Sequence, residues 1–284
     1  MFKQYYALPK PGIIYGNTMT TIAAFLFATK WHFGWALFLA PVLGIALVIA
    51  SACVFNNYID RDIDKKMTRT SARALTTGAI SPKSALTFAT TLGLFGFAAL
   101  YWLVNPLTAL VALVGFIFYV VFYGWAKRRT TLSTLVGSVC GAVPIVVGYI
   151  GATDRLDLAA LILFTILVSW QMPHFYAIGI RRLDEYAAAG LPILPVVKGI
   201  RTAKIDSIFY IVAYLIAVAS LTFFGYAGFT YLAVVLVFGL AWLAITLKGF
   251  SAPDDAAWAK RSFLFSLVVL VSFSVVLSVA SILA

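Results

Sequence analysis

The chain has 284 residues, of which 63% are hydrophobic and 11% are charged, and its formal net charge is +11. A mean hydropathy of +0.99 excludes a soluble globular domain of this size. Apolar runs recur that match the length of about 20 residues needed to cross a bilayer core. They predict nine transmembrane helices, at 13–29, 35–55, 85–104, 107–126, 132–151, 158–178, 205–224, 230–247 and 263–283. We therefore predict an all-α integral membrane protein with a single domain, residues 1–284.

The basic residues are distributed according to the positive-inside rule. With the N-terminus in the cytoplasm and the C-terminus outside, every lysine and arginine except Lys30 and Arg155 falls in a cytoplasmic segment. This distribution accounts for the net charge through membrane topology and argues against nucleic acid as a partner. It also turns a basic patch towards the cytoplasm, where phosphorylated metabolites are found.

The second apolar run leads into a polar stretch, NNYIDRDIDKKMTRTSARAL. Asn56, Asp60 and Asp64 recur every four residues, so a helix that continues through them places all three on one face. A charged loop is usually a solvated connector. Charge next to an apolar run is costly, however, and hard oxygen ligands with room for phosphate oxygens suit Mg²⁺. We therefore predict a Mg²⁺ site at this face.

Basic residues follow within reach of the acidic face, at Lys65, Lys66, Arg69 and Arg73. An acidic cluster next to a basic cluster predicts a site for a metal ion and a phosphate group. The loop after the fourth span is also basic. Tyr123 and Lys127 lie one helical turn apart there and are predicted to face the phosphate, whereas topology is enough to explain Arg128 and Arg129.

Two pairs of glycines have the four-residue spacing that allows helices to approach closely in membranes. Gly12 and Gly16 lie at the start of the first span, and Gly137 and Gly141 lie in the fifth. We expect both pairs to face the interior of the bundle.

The sixth span ends in a second unusual stretch, SWQMPHFYAIGIRRLDEY. A histidine near a helix end is usually structural or interfacial, but the Trp-Gln-x-Pro-His setting favours a function for His174. Asp184 and Glu185 form a second acidic loop beside Arg182. This loop follows the first by four spans, so the two are predicted to belong to a weak internal repeat and to face each other across one cavity.

These motifs resemble the UbiA superfamily of intramembrane prenyltransferases. The N-x-x-x-D-x-x-x-D pattern of Asn56, Asp60 and Asp64, followed by Arg69 and Arg73, is similar to its first aspartate-rich motif. The segments CVFNNYIDRDIDKKMTRTSARAL, SWQMPHFYAIGIRRLDEY and LPILPVVKG resemble one branch, the protohaem IX farnesyltransferases. The resemblance covers nearly the whole chain. It implies a bundle of nine transmembrane helices around a central cavity, with both acidic loops forming a cytoplasmic cap.

The resemblance also implies a reaction, in which farnesyl diphosphate donates a farnesyl group to a vinyl group of haem B and water adds to give haem O. It implies Mg²⁺ as cofactor, with haem B as a substrate. It further implies a bacterial inner membrane as the location, with hand-over of the product to haem A synthase or a terminal oxidase.

The residue roles follow from the same likeness. The predicted catalytic residues are Asn56, Asp60, Asp64, Arg69, Arg73 and Arg182, of which the first three bind the metal. The predicted substrate-binding residues are Lys65, Tyr123, Lys127, His174, Asp184 and Glu185. Imidazole suits iron, so His174 is the candidate contact with haem, as an axial ligand. The superfamily's second motif usually has spaced aspartates, whereas Asp184 and Glu185 are adjacent here, which leaves open one Mg²⁺ ion or two.

Two other functions fit part of this pattern. A related prenyltransferase that acts on an aromatic quinone precursor would share the first motif, although the Trp-Gln-x-Pro-His stretch favours haem. A cation-coupled transporter would use the acidic residues as an ion site, but such sites tend to lie near the middle of the bilayer on broken helices. The acidic residues here lie at the cytoplasmic edge among cations, which favours the capture of phosphate.

Overall fold

The computed structural model describes residues 2–280 and 282. In this part of the chain all regular structure is helical, and nine helices are long and apolar enough to cross a membrane. We number them in chain order: α1 Pro11–Thr29, α2 Trp35–Ile59, α3 Pro82–Leu103, α4 Pro106–Ala126, α5 Ser133–Thr153, α6 Leu158–Arg181, α7 Ile200–Phe223, α8 Phe229–Lys248 and α9 Asp255–Ala280. The prediction of an all-α membrane protein with nine transmembrane helices is confirmed.

One end of the bundle carries the long polar segments, and we call it the basic end: it comprises residues 2–10, 60–81, 127–132, 182–199 and 249–254. Short helical segments lie within it, at Phe2–Ala7, Arg61–Asp64, Leu183–Ala188, Leu194–Lys198 and Gly249–Ser251. At the opposite end the long helices are joined by short turns. The basic end therefore has most of the chain that is free to build a polar site.

Several helices extend beyond their apolar runs at the basic end. The sequence predicts the start of the last helix at 263, whereas α9 begins at Asp255, in its charged flank. The side chain of Asp255 pairs with Lys204 of α7, which is only 5% exposed. Hydropathy marks the residues inside the hydrocarbon, but helical hydrogen bonding continues through polar residues that have partners outside it.

The nine helices form a closed ring, because each packs against its neighbours in sequence and α9 packs against α1. Contacts between α1 and α5 cross this ring. The half made of α5 to α9 is filled by the largest apolar core, which includes Ile145, Leu163, Tyr214, Trp242 and Phe273. The acidic stretch after α2 lies in the other half, among α1 to α5.

The crossing of α1 and α5 is closest at Gly148. A Cβ atom on Gly148 would overlap the carbonyl oxygen of Thr21 and lie 2.9 Å from its carbonyl carbon. In addition, Thr21 Oγ1 donates a hydrogen bond to the carbonyl of Pro144 at 2.9 Å. The two backbones therefore touch here, as small residues permit in membrane helices.

The predicted glycine pairs have different surroundings. A Cβ atom on Gly137 would lie 3.1 Å from the ring of Tyr123, and one on Gly141 would overlap the side chain of Gln171. By contrast, Gly12 and Gly16 have open space around them. The prediction of close packing is confirmed for the pair in α5 and is wrong for the pair in α1, because the spacing marks a possible contact and does not supply the partner helix.

Candidate active site

The acidic stretch keeps its helical hydrogen bonds beyond the end of α2. The N–H of Asp60 donates to the carbonyl of Asn56 at 2.9 Å, and the N–H of Asp64 donates to the carbonyl of Asp60 at 2.8 Å. All three residues are buried, with 2%, 1% and 3% of the surface of Asn56, Asp60 and Asp64 exposed. They therefore share one buried face, which we call the acidic face.

Each residue of the acidic face accepts a hydrogen bond from a different cation. Lys10 Nζ donates to Asn56 Oδ1 at 2.7 Å, and Lys127 Nζ donates to Asp60 Oδ2 at 2.7 Å. Arg73 Nη1 donates to Asp64 Oδ2 at 2.6 Å. Two buried polar atoms of this face, Asn56 Nδ2 and Asp60 Oδ1, have no hydrogen-bond partner among the described residues. Buried carboxylates of this kind require cations close by. The structure thus brings an acidic and a basic cluster into direct contact.

The donor atoms of the acidic face fit a hard divalent cation. A buried carboxylate oxygen without a donor, as at Asp60 Oδ1, is costly unless positive charge lies against it. Arg128 Nη2 lies 3.7 Å from Asp60 Oδ1, which is too far for a hydrogen bond. In the described part of the chain no group of three or more His, Cys, Asp or Glu can hold a metal ion. A Mg²⁺ ion here would therefore use the amide oxygen of Asn56 beside two carboxylates, and oxygens from outside the protein.

Lys127 is positioned by an irregular turn of α4. Residues Phe118–Tyr123 form a π-helical segment, a feature that is frequent at functional sites. The ring of Tyr123 stacks on Tyr119 with 5.5 Å between centroids. Burial disfavours the charged form of Lys127, but the nearby acidic groups of Tyr123 and Asp60 outweigh it and raise the pKa of Lys127 above its usual value. The ammonium group therefore stays charged beside Asp60.

Arg128 ties the acidic stretch to the loop after α4. Its guanidinium binds both carboxylate oxygens of Asp62 at 3.0 Å and donates to the carbonyl of Ile59, at the end of α2, at 2.6 Å. The hydrogen bond to Arg128 lowers the pKa of Asp62 below its usual value, and the same bond raises the pKa of Arg128. Topology alone is thus an incomplete explanation of Arg128, because the residue also fixes the acidic stretch in place.

Besides Arg128, two residues at the site are not predicted by the sequence, Lys10 and Asn57. Lys10 directly precedes α1 and has a left-handed backbone, with φ of 57°. Burial lowers the pKa of Lys10 to about 8. Asn57 donates to the carbonyl of Leu8 at 2.7 Å and accepts a hydrogen bond from Arg73 at 3.2 Å. The one sequence signal for Lys10 is its place directly before Pro11, where a span starts on the same side as the acidic stretch.

Other residues predicted for the site lie apart from the acidic face. Lys65 and Arg69 are exposed and make no ion pair among the described residues. In the second acidic loop, Arg182 Nη1 bonds Glu185 Oε1 at 2.8 Å, while Asp184 is exposed. The second loop therefore does not add a carboxylate to the acidic face.

The two acidic loops nevertheless contact each other through apolar side chains. Ile63 and Met67 of the first loop form a buried cluster with Ala189 and Leu191 of the second, and Tyr186 packs against it. Burial of apolar area therefore contributes to holding the two loops together. The expected arrangement, in which both loops form one cap, is present.

His174 lies in α6 and contacts α9. Its ring stacks on Trp170 at 4.7 Å and packs against Phe263 at 4.9 Å, and its Nδ1 is 2.7 Å from Ser266 Oγ. Because Ser266 gives its proton to the carbonyl of Phe263 at 2.6 Å, Nδ1 is the donor to Ser266 and Nε2 keeps its lone pair. The residue lies about 10 Å along the helix from Arg181, at a rise of about 1.5 Å per residue.

Comparisons with known proteins show the family to which the chain belongs. Residues 17–268 match the UbiA prenyltransferase family. The protoheme IX farnesyltransferase of Serratia proteamaculans (strain 568) is 49% identical over 280 residues, covering 98% of this chain and 95% of the relative. That of Sodalis glossinidius (strain morsitans) is 50% identical over 281 residues, again covering 98% of this chain and 95% of the relative.

Solved structures share the fold at low sequence identity. A structure of digeranylgeranylglyceryl phosphate synthase in membranes matches with a TM-score of 0.83 at 16% identity, covering 100% of this chain and 99% of that one. A UbiA homolog from Archaeoglobus fulgidus bound to DMAPP and Mg²⁺ matches with a TM-score of 0.69 at 18% identity, covering 97% and 99%. With the sequence motifs and the match over most of its length, the chain belongs to the UbiA prenyltransferase family.

Proposed function

We propose that the protein is a Mg²⁺-dependent prenyltransferase that transfers the farnesyl group of farnesyl diphosphate to a vinyl group of haem B and adds water, giving haem O and diphosphate. One observation carries the chemistry: a buried acidic face that fits a metal ion is bonded to three cations that can bind phosphate oxygens. The named substrates are supported by the two protoheme IX farnesyltransferases that are 49% and 50% identical to this chain.

The first part of the reaction separates charge. When the C1–O bond of farnesyl diphosphate breaks, its electron pair stays on the diphosphate and positive charge develops on the allylic carbons. We propose that Lys127 and Arg73, which lie at the acidic face, stabilise the diphosphate. Each well-placed charge in a site shielded from water contributes about 3 kcal/mol. A Mg²⁺ ion held by Asn56, Asp60 and Asp64 supplies further positive charge to the leaving group when bound.

The loops must rearrange for the remaining predicted residues to take part. Lys65 and Arg69 are exposed, and Arg182 is paired with Glu185. We propose that these three cations turn towards the diphosphate when the substrate binds, and that Asp184 and Glu185 remain at the rim of the site. Loop closure of this kind also excludes water from the reacting carbons.

The second part of the reaction forms the new bonds. The π electrons of the haem vinyl group form a C–C bond with C1 of the farnesyl group, which moves the positive charge to the vinyl carbon next to the porphyrin. The oxygen of a water molecule adds to that carbon and loses one proton, leaving the hydroxyl group. The ring of Tyr123, one helical turn before Lys127, stacks on Tyr119, and both rings can stabilise the carbocation before water reaches it.

We propose that His174 binds the haem through Nε2, with Ser266 holding the imidazole in the required tautomer. We expect His174→Ala to lose the Soret spectrum of histidine-bound haem B, and Ser266→Ala to bind haem about tenfold more weakly. A haem titration followed by absorbance measures both. His32→Ala is the control, since His32 is exposed. An unchanged spectrum and affinity in His174→Ala would reject the role.

For the cellular setting, we propose that the basic end faces the cytoplasm of a bacterium and that the chain is one domain in the inner membrane, with its C-terminus outside. The concentration of lysine and arginine at this end supports the orientation. Haem B and farnesyl diphosphate would enter from the membrane. The haem O formed there would pass to haem A synthase or a terminal oxidase.

A competition assay tests the proposed function. Purified protein receives haem B, an aromatic quinone precursor, farnesyl diphosphate and Mg²⁺, and the products are identified by mass. We expect haem with one added farnesyl group and one added water, and an unmodified aromatic compound. If only the aromatic compound is prenylated, the acceptor is an aromatic compound and the proposal of haem B is wrong. Ion uptake into proteoliposomes without diphosphate release would instead indicate a transporter.

A further inference from the structure

Lys10 is bonded to Asn56 Oδ1, an atom that the proposed metal site requires as a ligand. Its ammonium group donates to Asn56 Oδ1 at 2.7 Å, and this oxygen is the only atom of the Asn56 amide that can bind a metal ion. An ammonium group and a divalent cation repel each other strongly at such a distance. Lys10 must therefore leave Asn56 when a metal ion binds there.

The backbone is anchored on both sides of Lys10, so a movement of the Lys10 side chain alone is enough to release Asn56. Asn57, the residue after Asn56, donates to the carbonyl of Leu8 at 2.7 Å. On the other side of Lys10, Pro11 is the first residue of α1. The ammonium group of Lys10 therefore stays within the reach of one side chain from the acidic face after it leaves Asn56.

The charges of the site indicate where Lys10 goes. Asp60 and Asp64 carry two negative charges and Lys10, Arg73 and Lys127 carry three positive ones. The charge of Arg128, 3.7 Å from Asp60, is balanced by Asp62, so the cluster has one excess positive charge. A bound Mg²⁺ ion would raise the excess to about three. The diphosphate group of a prenyl ester carries about two to three negative charges, which match this excess.

We propose that Lys10 is a diphosphate-binding residue that rests on Asn56 in the metal-free protein and moves to the diphosphate when metal and diphosphate bind together. This inference rests on the proposed function, because it requires a diphosphate substrate. It makes the binding of metal and of diphosphate cooperative, since the metal ion displaces a cation that then needs an anion.

A purely structural role explains the geometry less well. The bond between Asn57 and Leu8 already ties the N-terminal segment to the acidic stretch. The bond from Lys10 leaves Asn56 Nδ2 and Asp60 Oδ1 buried without partners among the described residues. The Lys10 ammonium group has no acceptor for Asn56 Nδ2, but a contact selected only for stability would be expected to donate one of its remaining protons to Asp60 Oδ1.

Binding measurements on the purified full-length protein test this inference. The probes are Mn²⁺ alone, followed by electron paramagnetic resonance, and the preformed complex of Mn²⁺ with inorganic diphosphate. We expect Lys10→Met to bind Mn²⁺ alone more tightly, by roughly threefold or more, because a competing cation is removed. We expect it to bind the diphosphate complex at least about tenfold more weakly, because a cation partner is lost. Lys10→Arg should retain most of the binding of the complex.

The control is Lys83→Met, which removes an exposed lysine in the first turn of α3, and it should bind both probes as the wild type does. If Lys10→Met weakens both probes equally and unfolds at a lower temperature, Lys10 is a tether and the inference is wrong. It is also wrong if Lys10→Met changes neither affinity while the wild type binds both probes, and the proposed function then stands. A folded wild type that binds neither probe would overturn the proposed function together with the inference.

Discussion

Asp60→Asn is expected to slow the formation of haem O by at least about a hundredfold while the protein stays folded. The substitution keeps the shape of the side chain but removes the charge that faces Lys127 at 2.7 Å and the buried oxygen that has no donor among the described residues. The site would then lose affinity for a metal ion and hold an uncompensated ammonium group. Initial rates, with the product identified by mass, measure the effect. Asp64→Asn, which removes the partner of Arg73, should behave alike.

The acidic stretch supplies its own control. Asp62 lies between the two aspartates in sequence, but its side chain is 63% exposed and binds Arg128 instead. We expect Asp62→Asn to keep the rate within a few-fold, since exposed ion pairs contribute only about 0.2–1 kcal/mol. Equal losses in Asp60→Asn and Asp62→Asn would show that the effect comes from the structure of the loop and would reject the acidic face as a metal site.

Gly148→Ala is expected to destabilise the protein by about 3 kcal/mol or more. The added methyl group would overlap the carbonyl oxygen of Thr21, and backbone atoms of two packed helices cannot move aside as a side chain can. The contact between α1 and α5 would open. Lys10 and the half of the ring that contains the acidic face would then lose the packing that supports them. Thermal unfolding in detergent, followed by size-exclusion chromatography, measures the loss.

A second glycine in the same helix pair controls for the intrinsic effect of alanine. Gly16→Ala places its methyl group in open space on α1, so we expect a stability equal to or slightly above that of the wild type. A Gly148→Ala protein as stable as Gly16→Ala would mean that the two backbones do not touch in the membrane. The crossing of the ring would then have to lie elsewhere.

The acidic face illustrates what local spacing can predict. Three residues four apart share one face whenever helical hydrogen bonds continue, and the bonds to Asn56 and Asp60 do continue past the end of α2. Local spacing does not predict all of their cation partners. Arg73 is nine residues from Asp64 and was among the expected residues, whereas Lys10 is 46 residues from Asn56 and reaches it across the start of another helix. Lys127 was expected to face a phosphate, and the structure pairs it with Asp60.

His174 shows the same limit. The sequence places it near the end of a span and in an unusual setting, which marked it as a candidate. Its tautomer depends on Ser266, which is 92 residues away in α9. No pattern within the sixth span indicates this partner, because it is selected by the packing of α6 against α9.

By itself, the sequence determined the nine helices, their alternating direction and the shared face of Asn56, Asp60 and Asp64, because hydropathy and helical spacing act between residues close in the chain. Only the tertiary structure decided that α1 crosses to α5 at Gly148, that Lys10 rests on Asn56 and that Arg128 holds the acidic stretch. These contacts join residues far apart in sequence. They form where the packing of whole helices brings side chains within hydrogen-bonding distance. The bilayer stabilises every apolar helix in the same way, so hydropathy does not determine which helices pack together.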